Sequence, residues 1–508
     1  MQVASAKMAC FFPADARTVF EICRPGESVA AEVRVRNPET AFAVLPLSSA
    51  ASMSSLADVM VSLEVQCPQF DALLFQEAIL VLPDPMAAVA ALLPYLQPKG
   101  ALLLTLPQDW CERQRITQGK ASLIAALEAV LNDGPLQGSN LVVDCAVLVP
   151  VTTGTVSHLV VRAARRGSFN RFYIGAMTLR PAGGCNDTRV DLPNAFLETL
   201  PGVRTSAAVD HITGVQPLAG ERQIAILQRR ISGPADIPNL KGLLKQGYLL
   251  VAEFDDHPQY WPAMEQNQHL TFRGVHAVQT STEFLSGELC RYNSEIAVFP
   301  NQIASMPAPK PLRTDGRIAL FFGAFNRSKD WQPLVAPLNR ILSANRGRVG
   351  VQVVHDRAFF DALETDTKAF LPTCGYDGYI QALRRCDIGL LPLEDTLFNR
   401  SKSDLKFIEC AAHGVVALAS PVVYGDTVRD GDTAVLFRSP EEFTDRLTRL
   451  IEEGDWRHGI AKRAYGYVRD HRLLAQHFRK RLDWYQSLLD RKEELDARLY
   501  ERVPELRP

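Results

Sequence analysis

Short apolar runs alternate with longer amphipathic stretches along the whole chain, a pattern that predicts parallel sheets covered by helices. In a first block the expected strands are TVFEIC (18–23), DALLF (71–75), ALLLTLP (101–107) and VSHLVVRA (156–163). Between them PMAAVAALLPYLQPKG (85–100) reads as a helix that Gly100 closes as a C-cap. A second block carries strands IAILQR (224–229), YLLVAEF (248–254), AVQTST (277–282) and EIAVFPN (295–301). The proline-rich MPAPKPL (306–312) reads as a linker. A third block carries RIALFFGAF (317–325), VGVQVVHD (349–356), DIGLLPLED (387–395) and GVVALAS (414–420), and the chain closes in charged amphipathic helices. The expected class is α/β with domains at 1–165, 166–310 and 311–475 and terminal helices over 476–508. Two consecutive sheet domains imply a cleft between them, where open sheets bind ligands.

A chain of 508 residues fits such a division, and 47% hydrophobic with 22% charged residues is ordinary for a globular protein. A formal net charge of −2 supplies no global field toward nucleic acid or an anionic membrane. The ten cysteines have neither CxxC nor zinc-finger spacing and read as core residues in a reducing compartment. The first residues lack a charged segment followed by a long apolar core, and no run reaches the ~20 apolar residues of a membrane helix. A cytoplasmic location follows as an expectation, compatible with peripheral work at the inner face of a membrane.

The densest chemistry lies in DIGLLPLEDTLFNRSKSDLKFIECAAHGVVALAS (387–420), which reads as strand, loop, helix, tight turn, strand. Ser401 and Ser403 suit the N-cap of a helix over about 404–412, ended by His413-Gly414. Free amides at that end favour a diphosphate, Lys402 and Lys406 add positive charge, and Glu409 is placed to accept from a ribose diol. The same helix fits a solvated surface role. Asp255-Asp256, at a strand end, reads as an acceptor contact or general base, or as a loop pair capping a turn; His257 is equally open. Tyr376 and Tyr379 suit stacking beside a nucleotide base or ordinary packing.

This segment resembles the donor-binding helix of glycosyltransferase family 4, the retaining "group 1" enzymes of GT-B type. Glu409 matches the family's ribose glutamate and Gly414 its turn. GAFNRSKDW (323–331) is similar to the family's Gly-Arg-(x)n-Lys-Gly segment through Gly323, Arg327 and Lys329, with Asp330 in place of the second glycine. VAEFDDHPQYWP and the following GVHAVQTSTEFLSGELCRYNSEIAVFPNQI resemble a bacterial surface-polysaccharide branch through Asp255, Asp256, Ser281, Thr282, Glu283, Pro300 and Asn301. One departure matters: eight residues before Glu409 the family commonly carries a sugar-contacting glutamate, and here Ser401 stands there, so that either Asn399 and backbone amides hold the sugar or the donor differs. The resemblance implies three Rossmann-like domains, the last two forming a GT-B pair. Arg327, Lys329 and Lys402, with Lys406 behind them, would stabilise the departing diphosphate. Asp256 would serve catalysis; Asp255, His257, Thr282 and Glu283 would stand on the acceptor side.

The N-terminal block resembles a class I methyltransferase. Phe70-Asp71, Glu77, Asp84-Pro85 and Lys99-Gly100 match that family's later segments. Where its cofactor loop reads Glu-x-Gly-x-Gly-x-Gly, this chain has Glu21-Ile22-Cys23-Arg24-Pro25-Gly26-Glu27, and the side chains replacing glycine obstruct close approach to a cofactor. The expectation is therefore a degenerate module without S-adenosylmethionine, serving docking or architecture, with other glycan-assembly enzymes as candidate partners.

Taken together, the chain is expected to move a sugar from a nucleotide-sugar co-substrate to a polysaccharide, lipid-linked glycan or protein acceptor. By resemblance it does so with retention, without a metal and without a tightly bound cofactor. The rivals are a bifunctional sugar methyltransferase/glycosyltransferase and a noncatalytic GT-B scaffold.

Overall fold

The computed structural model describes residues 9–46, 69–76, 85–107, 120–150, 157–180, 184–311, 313, 315–325 and 327–507. They form a mixed α/β protein with three six-stranded sheets. The chain divides into two compact units, one of 1–174, 194–205 and 215–222, the other of 175–193, 206–214 and 223–508.

The first sheet contains β1 (Thr18–Cys23), β2 (Ala41–Pro46), β3 (Phe70–Phe75), β4 (Leu96–Pro107), β5 (Leu141–Pro150) and β6 (Ser157–Arg165) in the order β2-β1-β3-β4-β6-β5. β1 to β4 pair in parallel, whereas β6 runs antiparallel to both β4 and β5. Gly100 does not cap a helix. The helix Pro85–Leu92 ends early because Pro94 lacks an N–H and its ring obstructs continuation. Gly100 instead lies inside β4, where a Cβ would stand 2.9 Å from the Asp71 carbonyl.

Where a methyltransferase would present its cofactor loop, the Glu21 carboxylate is consumed by its own chain. It accepts from Ser28 Oγ at 2.5 Å, Val29 N at 2.9 Å and Gln76 Nε2 at 2.5 Å, and it is fully buried. Those contacts tie the Glu21 carboxylate to its own loop and to the residue after β3. Glu77 and Asp84 lie outside the described residues.

The second sheet is built from β7 (Arg171–Thr178), β8 (Val203–Val209), β9 (Glu221–Gln228), β10 (Leu249–Glu253), β11 (Ala277–Thr280) and β12 (Ile296–Val298), ordered β12-β11-β10-β9-β7-β8. The third contains β13 (Ile318–Gly323), β14 (Val349–Val354), β15 (Lys368–Leu371), β16 (Ile388–Leu391), β17 (Val416–Ala419) and β18 (Val435–Leu436), ordered β15-β14-β13-β16-β17-β18 and parallel throughout. The order reverses between β13 and β16, a switch point whose carboxyl ends open a crevice. Strands buried on both faces explain the near-continuous apolar runs, as in β16 and β17, where every residue is buried.

Helices Leu474–Asp490 and Lys492–Arg502 return to the second sheet. Tyr485 donates to Gln279 at 2.7 Å, His276 meets Asp496 at 2.8 Å, and Arg491 pairs with Glu295 at 2.7 Å. Beneath them Arg189 and Glu253, both essentially inaccessible, form a two-pronged ion pair at 2.8 and 3.2 Å. The other Arg189 nitrogen donates to the Phe299 carbonyl at 2.7 Å and to Asn301 Oδ1 at 2.8 Å. Removing one partner of such a pair strands the other's charge. Arg189→Met should therefore lower unfolding stability by about 3–5 kcal/mol, read as a fall in urea midpoint by tryptophan fluorescence. Arg189→Met with Glu253→Gln should recover part of that loss; an unchanged midpoint in the single variant would contradict the assignment.

Candidate active site

The second and third sheets face each other across a cleft of about 1070 Å³, lined at the carboxyl ends of β9, β10, β13, β14 and β16. Gly323 closes β13. A Cβ there would come within 2.7 Å of Phe321 and Tyr379, so only glycine lets the strand end approach the cleft this closely. Arg327 then precedes the helix Ser328–Ala344. Its guanidinium is fixed between Asp330 at 3.2 Å and Asn399 Oδ1, while Asn399 Nδ2 donates to Asp330 at 2.8 Å. Asp330 also accepts the Glu394 backbone N–H at 2.8 Å, so the residue that replaces a glycine of the resembled motif acts as the knot of the loop. Lys329 is exposed on the cleft wall and makes no ion pair among the described residues.

Helix Leu405–Ala412 carries Lys406 and Glu409 into the cleft. Lys406 donates to the Gly323 carbonyl and to Tyr379 Oη, its ammonium 5.0 Å from the Tyr379 ring. Burial lowers the Lys406 pKa against the pull of Glu409, and burial raises that of Glu409 against Lys406 and hydrogen bonds from Tyr376 and Tyr379. Tyr376 is packed so closely on Gly184 that a Cβ there would lie 2.5 Å from its ring. The helix is not capped by Ser401 or Ser403. Asp404 holds the cap position without a side-chain cap bond, because its carboxylate is taken by Arg472 at 2.6 and 2.9 Å. Ser403 lines the cleft and accepts from Asn301 at 2.7 Å. Ser401 is fully buried and bonded to the Leu397 carbonyl, so its side chain does not reach the cleft.

On the opposite wall Arg229, in a left-handed conformation (φ 46°), pairs with Asp255 at 2.5 Å and with Asp256 at 3.0 Å. Burial would raise the Asp255 pKa, but the Arg229 guanidinium holds it well below the usual carboxylate range. Asp256 also pairs with Lys402, which reaches it from the third-sheet side. Burial lowers the Lys402 pKa, with Asp256 opposing and Arg327 and Arg229 reinforcing that shift. The Lys402 ammonium lies 4.1 Å from the Phe398 ring, whose stacking neighbour at 4.8 Å is Tyr260. Neither aspartate is a turn cap.

His257, Thr282 and Glu283 are not brought to the cleft lining. His257 is buried, with Nδ1 accepting from Gln259 N at 3.3 Å. Thr282 caps helix Glu283–Leu289 by accepting from Leu285 N at 3.2 Å, and Glu283 is exposed in that helix's first turn. Among the described residues no group of three or more His, Cys, Asp or Glu side chains is placed to hold a metal, and no helix is long and apolar enough to cross a membrane.

The sequence reading missed Arg229, whose lone position after a strand carries no motif, and His355. The latter follows β14 with φ 76°, stacks on Phe325 at 4.0 Å, and has a buried Nδ1 without a hydrogen-bond partner among the described residues. A β-strand end followed by His-Asp is the signal that was available, since histidine is among the few residues that tolerate this backbone region.

Residues 337–485 match a protein-family model described as glycosyl transferase-like. No curated protein matches the sequence. Among solved structures, Anabaena HepE in complex with UDP-glucose is 12% identical with a TM-score of 0.46, covering 63% of this chain and 99% of that one. Sucrose-phosphate synthase from Thermosynechococcus elongatus is 13% identical with a TM-score of 0.46, covering 63% and 100%. A TarM structure is 11% identical with a TM-score of 0.41, covering 52% and 54%, so the chain spans about half the length of that protein. The two sheets facing the cleft have the GT-B arrangement expected from the sequence.

Burial, with Lys406 adding to it, pushes the His355 pKa down to about 4. The unfolded chain then takes up this proton first, so the group removes stability as pH falls from about 6.5 toward 4. An NMR titration, assigned with His355→Gln, should place the ligand-free midpoint near 4 and move it upward in Lys406→Met; a wild-type midpoint near 6.5 would contradict this environment.

Proposed function

We propose that the chain is a nucleotide-sugar-dependent glycosyltransferase. The observation that carries this reading is the convergence of Arg327, Lys329, Lys402 and Lys406 on one cleft wall at the switch point of a parallel sheet, with Glu409 buried among them. Burial opposes the charge on both Lys402 and Lys406. A diphosphate in the cleft would return the counter-charge that burial withholds, and fixed cations aimed at a departing diphosphate stabilise the charge that develops there. Glu409, with Tyr376 and Tyr379 beside it, suits the ribose end of a nucleotide.

In the transfer step the bond between the anomeric carbon and the diphosphate oxygen breaks, and its electron pair leaves on the diphosphate. An acceptor hydroxyl forms the new bond, its proton passing to Asp256 or to the departing phosphate oxygen. Asp256 stands opposite the cations, and once Lys402 turns to the diphosphate its carboxylate retains Arg229 alone. Metal-independent transfer with retention remains part of the proposal through the sequence resemblance.

Buried Ser401, which leaves no carboxylate at the position from which related enzymes contact the sugar, favours one second reading: a scaffold that binds nucleotide without turnover. Calorimetric titration with UDP, GDP, ADP and dTDP separates these. One nucleoside diphosphate should bind, Glu409→Gln should weaken it about tenfold, and Lys329→Ala several-fold. Absence of binding by the wild-type chain overturns the proposal; binding without sugar transfer from the matching donor selects the scaffold.

A further inference from the structure

The cleft also carries aromatic side chains that the donor chemistry leaves unused. After β10 the chain runs Asp255-Asp256-His257-Pro258-Gln259-Tyr260-Trp261, and the single helical turn Pro258–Tyr260 brings the acid pair and the aromatic pair to one wall. Trp261 packs edge-on against Phe254, with centroids 5.2 Å apart and planes at 79°. Tyr260 stands at 82° to Trp261 with centroids 5.2 Å apart, so the two rings form a right-angled corner in the cleft. Tyr260 is 56% exposed, although Phe398 covers part of it.

From Gln223 onward the exposed large hydrophobic side chains among the described residues are Tyr260, Phe325 and Leu397. The first two line the cleft and the third lies between Thr396 and Phe398, which do. Exposed aromatic side chains gathered in a charged cleft make a ligand surface there.

We propose that Tyr260 and Trp261 form an acceptor subsite for a pyranose ring. A pyranose has an apolar face of axial C–H groups and a rim of hydroxyls. The C–H face suits the electron-rich face of Tyr260, the ring edge suits Trp261, and the rim hydroxyls suit Asp255 and Asp256 on the same loop. An acyl chain would find these carboxylates and the Arg229 guanidinium at the foot of the corner, where it could only desolvate them. The corner adjoins Asp256 and Lys402, so a hydroxyl of the bound ring is presented at the same point as the leaving group. The inference rests on the transferase reading for the role of acceptor; the stacking itself does not.

Saturation-transfer NMR on the full chain, irradiating aromatic protons, tests it with methyl glycosides of glucose, galactose, mannose, rhamnose, N-acetylglucosamine and N-acetylgalactosamine. Decyl glycerol and a Ser/Thr-rich peptide complete the panel, and each probe is run with and without the four nucleoside diphosphates. At least one methyl pyranoside should receive saturation on the ring protons of one face. Tyr260→Ala should weaken it about tenfold, Tyr260→Phe should keep it, and nucleotide affinity should be the same in all three proteins. Saturation of the lipid or peptide alone, of no probe, or of a pyranoside indifferently to Tyr260→Ala overturns the subsite. Pyranoside binding without any nucleotide binding leaves the subsite standing and removes the transferase reading instead.

Discussion

The buried pair of Arg189 and Glu253 is the contact on which the cleft's geometry depends. A guanidinium has five donors in one plane, and in the interior all must be met. Here the carboxylate takes one edge, and the Phe299 carbonyl and Asn301 take the other. Asn301 in turn donates to Ser403, and its carbonyl accepts from Arg472 at 3.0 Å, the same arginine that grips Asp404 ahead of helix Leu405–Ala412. A continuous run of hydrogen bonds thus leads from the core of the second sheet to the end of Leu405–Ala412. The closing helices join the same network through Arg481, 3.8 Å from Glu253, and through Tyr485 on Gln279, which itself donates to Glu253 at 2.7 Å.

The opposite wall obeys a different constraint. Arg327 and Lys402 flank Phe398, with its ring 5.9 Å from the guanidinium carbon and 4.1 Å from the ammonium. An aromatic ring close to both cations gives each a favourable partner and tempers their repulsion. Asp330 and Asn399 then hold Arg327 in one orientation. A guanidinium fixed this way needs little rearrangement when negative charge arrives, which is what electrostatic preorganisation requires.

Much of this was legible in the sequence, and what was missed has physical reasons. Apolar runs such as IALFFG and IGLL, buried on both faces, announced the third sheet, and the Lys402, Lys406 and Glu409 spacing placed three side chains in one cleft. The parallel expectation for the first block failed at β6. Its six-residue separation from β5 is too short for a crossover and in retrospect demands an antiparallel neighbour. Short edge strands, β15 and β18, fall below any periodicity signal. Ser401 and Ser403 had the right chemistry for a cap, but Arg472, distant in sequence, made Asp404 the end of the helix. Arg229 acquires meaning only from partners brought by folding, and Thr282 and Glu283 sit in a motif whose helix cap is their visible role.

The Lys402–Asp256 contact spans the cleft and ties its two walls together through one ion pair. An anion that captures Lys402 leaves Asp256 facing one cation, Arg229, instead of two, so the negative charge on that wall is less fully balanced. Anion capture at Lys402 and the binding of a hydrogen-bond donor at Asp256 are then linked functions: each changes the free energy of the other by the same amount. Occupancy of one wall is in this way reported to the other through a shared charge, without any strand or helix having to move.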